Sequence, residues 1–552
     1  MNFYNVIQTI MYLIGGIGIF LLGLQFLSSG LQTIAGPTLQ KLISKVTSNS
    51  LLGIFVGASV TCLVQSSALT MAMIIGFVNA GIMILPQTLG VIMGTNIGTT
   101  ITGWVLVLNV DQYGIPIAGL FALVYCFVKK EYIKYLALAL LGVGLVFVGL
   151  YAMKNSITPI ANDPAFLNTL AIFNVRGFAS LFMCILVGFL LAAIMQSSSA
   201  SLGVTIVLAS QGLIGFETAA ALVLGQNIGC TISALMIAMN ASKQAKRAAF
   251  FHLFFNIFGV IWVTVLFNPV ISFMDFIVTQ IFNKQDINAK ETLPFAIALF
   301  HTCFNVANTI VVLPFTSKIL CVLEKLFHRK IIAKKTLVTR LNISFIKSPF
   351  VAIAQSSKEM RLMSVSVQKM LSDLRHCLEK TEDSKECAEH IFNEEKRLDR
   401  VQTEVIDFLT QLLLMPNISK LVANDAKYQL RMSDDLETAS DYVTQILKLQ
   451  LRMNEKNVSF SAFHLKRMLE LHDMVFTLAN KFSDFLSDKD NAKKLSEIRN
   501  LGIAVTQKMR ELRSELWENL TEYHVDPLVI TSFTDMLNAY RKLKEYLVSS
   551  LK

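Results

Sequence analysis

The sequence predicts an all-α chain of two unlike parts: a polytopic membrane domain of two inverted-topology repeats with re-entrant helical hairpins, then a C-terminal cytoplasmic bundle of six helices. Three observations carry that prediction. Of 552 residues, 53% are hydrophobic and 16% charged, with a mean hydropathy of +0.54, outside the range of soluble globular chains. Long apolar stretches fill the chain up to about residue 325, and beyond it charged residues recur every few positions. This divides the chain into a membrane domain 1–325, a basic linker 326–349 and a polar helical domain 350–552. Third, polar clusters repeat inside the apolar part. Gln65-Ser66-Ser67 and Gln196-Ser197-Ser198-Ser199 each stand 31 residues ahead of an Asn-Ile-Gly, at Asn96 and Asn227. One offset of 131 aligns both clusters, and Gly57 with Gly188 and Gly81 with Gly212. A lone Gln-Ser-Ser in a membrane reads as small-residue packing. Two in register read as an internal duplication that builds one binding site.

The net charge of +10 does not point to nucleic acid, because no basic face interleaved with aromatics occurs. The cations flank apolar spans instead, as Lys129-Lys130 with Lys134, Lys243 with Lys246-Arg247, and His328-Arg329-Lys330 with Lys334-Lys335. That is the pattern of cytoplasmic loops under the positive-inside rule. The eight cysteines show no CxxC spacing and read as reduced core residues. With no basic segment or small-residue cleavage site at the N-terminus, Tyr12–Leu27 reads as a retained span.

Taken in order, repeat one (about 11–153) opens with a glycine-rich span at 11–29, followed by Lys41 and Lys45, which places the N-terminus outside. The stretch 51–79 carries the first triplet at its centre. Folded there, each arm is roughly 20 Å of helix, too short for a core of about 30 Å, so a re-entrant hairpin fits better than a discontinuous span. The span 88–108 holds Asn96-Ile97-Gly98-Thr99-Thr100, a poor helix sequence at which local unwinding is expected. Spans at 115–128 and 133–151 complete the repeat. Repeat two (about 164–322) runs from the opposite side, with its hairpin at 178–210 and its Asn-Ile-Gly span at 218–239. Inverted repeats with broken helices at the midplane are the architecture of secondary transporters. Two closing spans, 250–273 and 293–320, carry Phe251-His252-x-x-Phe255-Asn256 and Phe300-His301-x-x-Phe304-Asn305. The His and Asn of each pair share a helix face, either as glue between helices or as part of a translocation path. After Pro349 the apolar period is that of soluble helices, at 352–378, 387–414, 421–451, 462–486, 492–521 and 527–551.

The polar clusters offer hydroxyls, carboxamides and glycines rather than formal charges. Neutral oxygens and the carbonyls of unwound helices suit Na⁺, and half-helix N-termini suit an oxyanion. No Asp or Glu stands in the polar clusters of either repeat, which favours sodium over proton coupling. Arg176, ahead of the second hairpin, is read either as an anion ligand or as an interfacial residue that snorkels. Neither a P-loop nor a nucleophile elbow is present, so the chain reads as no enzyme. In the polar domain, Glu395 with Asp399 and Glu437 with Asp441 are i,i+4 acidic pairs on successive helices. They read either as ligands for a hard or borderline cation or as solvated surface charge.

The paired Gln-Ser-Ser clusters, each followed by Asn-Ile-Gly-x-Thr, resemble the twin signature of the type II sodium–phosphate cotransporter family over roughly residues 14–320. The resemblance implies an inverted-repeat symporter in which both hairpins and both Asn-Ile-Gly helices share one site. Carried over by position, phosphate would meet Gln65, Ser66, Ser67, Asn96, Gln196, Ser197, Ser198 and Asn227, with Arg176 as a further anion contact. Sodium would meet Ser67, Thr95, Asn96, Thr99, Thr100, Ser199, Asn227 and Thr231. The copies differ where Ala68 faces Ser199 and where Cys230 replaces Thr99. The C-terminal bundle is similar to PhoU domains, whose acidic signature Glu437–Asp441 matches, while Met536–Tyr540 in the second half has lost the acids. This implies a divalent or iron metal at Glu395, Asp399, Glu437 and Asp441, or else a regulatory role through a cytoplasmic partner or a homo-oligomer. The expectation is a sodium-coupled phosphate transporter of the bacterial inner membrane, multi-pass, working by alternating access, with its C-terminal domain cytoplasmic. Its rivals are a non-transporting phosphate-signalling membrane protein and a sodium-coupled carrier of another anion.

Overall fold

The computed structural model describes residues 3–44, 49–79, 81–108, 111–158, 163, 173–239, 241–282, 286–326, 339, 341–343, 346, 348–379, 384–415, 418–487, 492–520 and 526–550. Every regular element among them is helical, and the chain divides into two units, Met1–Ile331 and Ile332–Lys552. Most of the expected basic linker lies outside the described residues, including His328-Arg329-Lys330 and Lys334-Lys335; so does Lys45.

Among the described residues, seven helices of the first unit are long and apolar enough to cross a bilayer. Helix α1 (Phe3–Ser44) is longer than the expected span, so Lys41 lies in its last turn rather than in a loop. It packs along α6 (Glu131–Ile157) through Gly16, Gly23 and Gly30. A Cβ on any of these would run into the α6 backbone, at Met153, Val146 and Ala139 respectively. Small residues at such an interface let two backbones approach, which is where packing in a membrane gains its energy.

The first triplet separates α2 (Ser50–Val64) from α3 (Ser67–Asn79), and the second separates α7 (Phe178–Met195) from α8 (Ser198–Ser210). Thr61 on α2 donates to Thr70 Oγ1 on α3 at 3.2 Å. Nine residues of straight helix would hold those positions about 13 Å apart, so the chain doubles back at the triplet. At 15 and 13 residues both arms are short. In the second copy the first arm has 18 residues and by length alone could span.

Helices α4 (Leu85–Val107), α5 (Gly114–Phe127) and α6 complete the first half; α9 (Phe216–Gly229) and α10 (Thr231–Ala238) follow the second hairpin. Each Asn-Ile-Gly helix packs on the first arm of its hairpin by the same contacts. A Cβ at Gly57 would meet the Val91 carbonyl and one at Gly94 the Ile54 carbonyl. The counterparts, Gly188 on Leu222 and Gly225 on Ile185, lie at the same offset of 131 for all four residues. The turn glycines Gly81 and Gly212 are both at positive φ, 65° and 74°.

Two expectations are corrected. Helix α4 does not unwind at Asn96-Ile97-Gly98-Thr99-Thr100, because its hydroxyls and its glycines are used for helix and packing bonds. In the second copy the only interruption is the single residue Cys230, itself in the right-handed helical region. The closing spans are also broken where continuous helix was expected. Helix α11 (Lys243–Val265) gives way at Leu266 to α12 (Phe267–Ile281), and α13 (Leu293–Val312) gives way to α14 (Thr316–Leu326) through a 3₁₀ turn, Leu313–Phe315. Pro269 and Pro314 explain both, since proline lacks the N–H and crowds the carbonyl four residues back.

Among the described residues the second unit comprises six helices, as expected: α15 (Pro349–Glu379), α16 (Ser384–Leu413), α17 (Lys420–Glu455), α18 (Ala462–Ser487), α19 (Ala492–Leu520) and α20 (Pro527–Ser549). Apolar residues at three- and four-residue steps, such as Met363, Val367, Met370 and Leu374 of α15, bury one face of each helix.

Candidate functional site

Both glutamines of the triplets adopt the same unusual backbone. Gln65 has φ 54° and ψ 26°, Gln196 φ 51° and ψ 26°, and each is the C-cap of the first arm. Among the described non-glycine residues, the remaining positive φ is at Asn457, in the second unit. A side-chain-bearing residue in the left-handed region costs on the order of 1–2 kcal/mol, and such strain persists where function retains it. The left-handed cap ends one helix, and the following serine starts the next. Ser66 Oγ accepts from Leu69 N at 3.3 Å and Ser197 Oγ from Ala200 N at 3.1 Å, the N-cap bond in both copies.

The two tips meet. Gln65, Ser66, Ser67 and Gln196, Ser197, Ser198, Ser199 together line one cavity of about 250 Å³. Two helix N-termini therefore face it, with their free N–H groups and partial positive charge, beside the carbonyl-rich C-termini of α2 and α7. Its remaining wall is Ala68, Leu69 and a stripe of α1: Leu21, Leu24, Gln25, Ser28 and Ser29. Ser28 also donates to the Val64 carbonyl at 2.8 Å, tying α1 to the first tip. Sequence reasoning missed this wall. Its signal was Gln25, a carboxamide in a helix otherwise apolar over 15–27.

The other expected ligands are not on the cavity wall. Thr95 donates to Val91 O at 2.9 Å, Thr99 to Thr95 O at 2.9 Å, Thr100 to Ile97 O at 2.8 Å and Thr231 to Ile228 O at 2.7 Å. Asn96 and Asn227 donate to the carbonyls of Ile92 and Val223 at 3.0 and 2.8 Å. All six are buried; five are bonded within their own helices, and Thr231, the first residue of α10, is bonded to the last turn of α9. Arg176 is exposed ahead of α7, where its backbone N–H donates to Ser180 Oγ at 2.8 Å, and it is not part of the wall. The His–Asn pairs do not bond across helices either: Asn256 and Asn305 donate to the carbonyls of His252 and His301 at 2.9 Å. Interhelical bonds of that region are made at Asn308, which donates to Phe255 O at 2.9 Å and accepts from Trp262 Nε1 at 3.2 Å.

In the second unit, Asp399 and Asp441 crowd Glu437. Burial first, then these two charges, push the Glu437 carboxyl up to about 7. Among the described residues no three His, Cys, Asp or Glu side chains are placed to hold a metal ion. Of the expected four acids, Asp441 and Asp399 lie close enough to Glu437 to disfavour its charge.

Comparison with known proteins agrees with this division. The family model described as Na+/Pi-cotransporter matches residues 19–155 and 166–274, and the PhoU domain model matches residues 360–449. The "Uncharacterized protein YqeW" of Bacillus subtilis is 29% identical over 57% of this chain and 96% of its own length. The "Putative inorganic phosphate export protein YjbB" of Salmonella typhimurium is 22% identical over 88% of this chain and 87% of its own. Human "Sodium-dependent phosphate transport protein 2B" is 33% identical over 19% of this chain and 16% of its own. No solved structure matches.

Proposed function

The membrane unit belongs to the Na+/Pi-cotransporter family and the second unit carries a PhoU domain, and on that premise we propose that the chain moves inorganic phosphate across the bacterial cytoplasmic membrane by coupling it to sodium. The observation that carries this reading is the single cavity bounded by both left-handed glutamine tips. Two helix N-termini supply donors and positive potential for an oxyanion without a basic side chain, and the hydroxyls and helix-end carbonyls beside them suit a small hard cation. Phosphate would contact Gln65, Ser66, Ser67, Gln196, Ser197 and Ser198. Sodium would contact the same tips through Ser67 and Ser199, with Thr95, Asn96, Thr99, Thr100, Asn227 and Thr231 reached only if these side chains give up their bonds to carbonyls of α4 and α9.

Transport by alternating access follows if the two halves, related by inverted topology, exchange which side of the cavity is open, and sodium acts through its differential affinity for the two states. The amino terminus would lie outside and the PhoU-like unit in the cytoplasm, where it regulates or docks. Gln65→Ala and Gln196→Ala should each abolish sodium-dependent [³²P]phosphate uptake into proteoliposomes while leaving the protein inserted. Uptake that survives both would sink the site. A second reading, export, is favoured by the printed name of the enteric relatives. Efflux from phosphate-loaded vesicles of both orientations distinguishes it. A full-length chain that neither takes up nor releases phosphate would favour the signalling role, and transport of a competing oxyanion in preference would change the substrate.

A further inference from the structure

Four of the five threonines of α4, Thr88, Thr95, Thr99 and Thr100, donate to carbonyls of their own helix. Thr102 does not. Its buried hydroxyl donates to Gln65 Oε1 at 2.9 Å and accepts from Ser199 Oγ at 3.2 Å. It therefore stands between the tip of the first hairpin and the first turn of the second, in a chain that runs Ser199, Thr102, Gln65. Gln65 Nε2 continues the chain to the Cys62 carbonyl, so both ends of this carboxamide are fixed. One N–H and one lone pair remain free for the cavity.

The other half has no equivalent. The offset of 131 sets Ser233 opposite Thr102, Ala68 opposite Ser199 and Gln196 opposite Gln65. Ser233 donates to the Cys230 carbonyl at the start of its own helix at 2.9 Å, and Ala68 has no hydroxyl to give. Gln196 is exposed and makes no side-chain hydrogen bond among the described residues. One glutamine is clamped and its counterpart is free.

We propose that Thr102 is a positioning residue that orients the Gln65 carboxamide in the cavity and joins the two hairpins on one side only, leaving Gln196 as the tip that is free to move. This rests on the transport reading for its kinetic consequence and on the hydrogen-bond chain for its geometry. Thr102→Val keeps the shape and removes the hydroxyl. In reconstituted full-length protein it should raise the KM for inorganic phosphate roughly three- to tenfold, the worth of one neutral hydrogen bond, with insertion unchanged. Thr102→Ser should restore the original KM. Ser199→Ala should reproduce part of the shift, and the double variant should be no worse than Thr102→Val alone. A KM untouched by Thr102→Val, or a serine variant as impaired as the valine one, overturns the proposal. The same cycle read by thermal unfolding of purified protein needs no transport: non-additive losses support the bridge and additive losses overturn it. A wild type that carries no phosphate would sink the transport reading and leave the unfolding cycle to decide the bridge.

Discussion

Gln65 and Gln196 hold the same backbone angles but different surroundings, and glycine substitution separates the two effects. Gln196→Gly relieves the left-handed strain and forfeits no hydrogen bond seen in this state, so it should stabilise the purified protein by about 1 kcal/mol while phosphate uptake falls. Gln65→Gly relieves the same strain but orphans Thr102, and its unfolding temperature should stay level or drop. In the second unit, Glu437 offers a pH test. Its carboxyl titrates near 7 instead of its ordinary 4.5 because burial and the neighbouring Asp441 and Asp399 disfavour the charge. The folded state keeps a proton that the unfolded state has lost, so its stabilising share is whole below about pH 4.5 and disappears as pH rises through 7. Glu437→Gln should therefore raise the unfolding temperature at pH 8, by less than about 4 °C given solvent screening, and change nothing at pH 4. An equal gain at both values would refute the repulsion. Which polar residues meet at the hairpin tips was partly legible at this scale. The triplets announced themselves as polar residues in apolar runs, whereas Thr102 could not be told from Thr99 or Thr100, because direction around a helix decides its partner.

The hairpins depend on close backbone contact between each first arm and its Asn-Ile-Gly helix. Gly57 and Gly94 in one half, Gly188 and Gly225 in the other, each sit against a carbonyl of the facing helix. Gly57→Ala or Gly225→Ala must push the helices apart, and overpacking of that kind costs about 1–3 kcal/mol. Lower unfolding temperatures should result, with similar losses at Gly57 and Gly188. Gly119→Ala, where a Cβ meets open space, is the control and should be silent. The repeat itself was readable from sequence because these glycines and the triplets share one offset. The continuity of α4 was not. Asn-Ile-Gly-Thr-Thr is a weak helix by propensity, and packing on α2 with hydroxyl bonds to its own carbonyls overrides that preference. The breaks at Pro269 and Pro314 had a local signal that the hydropathy of the surrounding run obscured.

The two units carry separate cores, and each is complete in kind: apolar helices with a polar cavity in one, six amphipathic helices in the other. The membrane unit contains every residue of the cavity wall. None of the described helices of the second unit is among those apolar enough to cross a bilayer. Because its helices bury their apolar faces in a core of their own, residues 349–552 expressed alone should fold as a helical domain with a cooperative unfolding transition. On the proposed function, a chain ending at residue 348 should keep phosphate transport. If the PhoU-like unit regulates, removing it changes the maximal rate and leaves the KM for phosphate near its original value, because no wall residue has been touched. A rise in rate would mean that the unit restrains the carrier, and a fall that it supports the active form. Loss of transport from a truncated protein that still inserts and still resists unfolding would show that the cavity needs the second unit, and would overturn the division of labour drawn from the two cores.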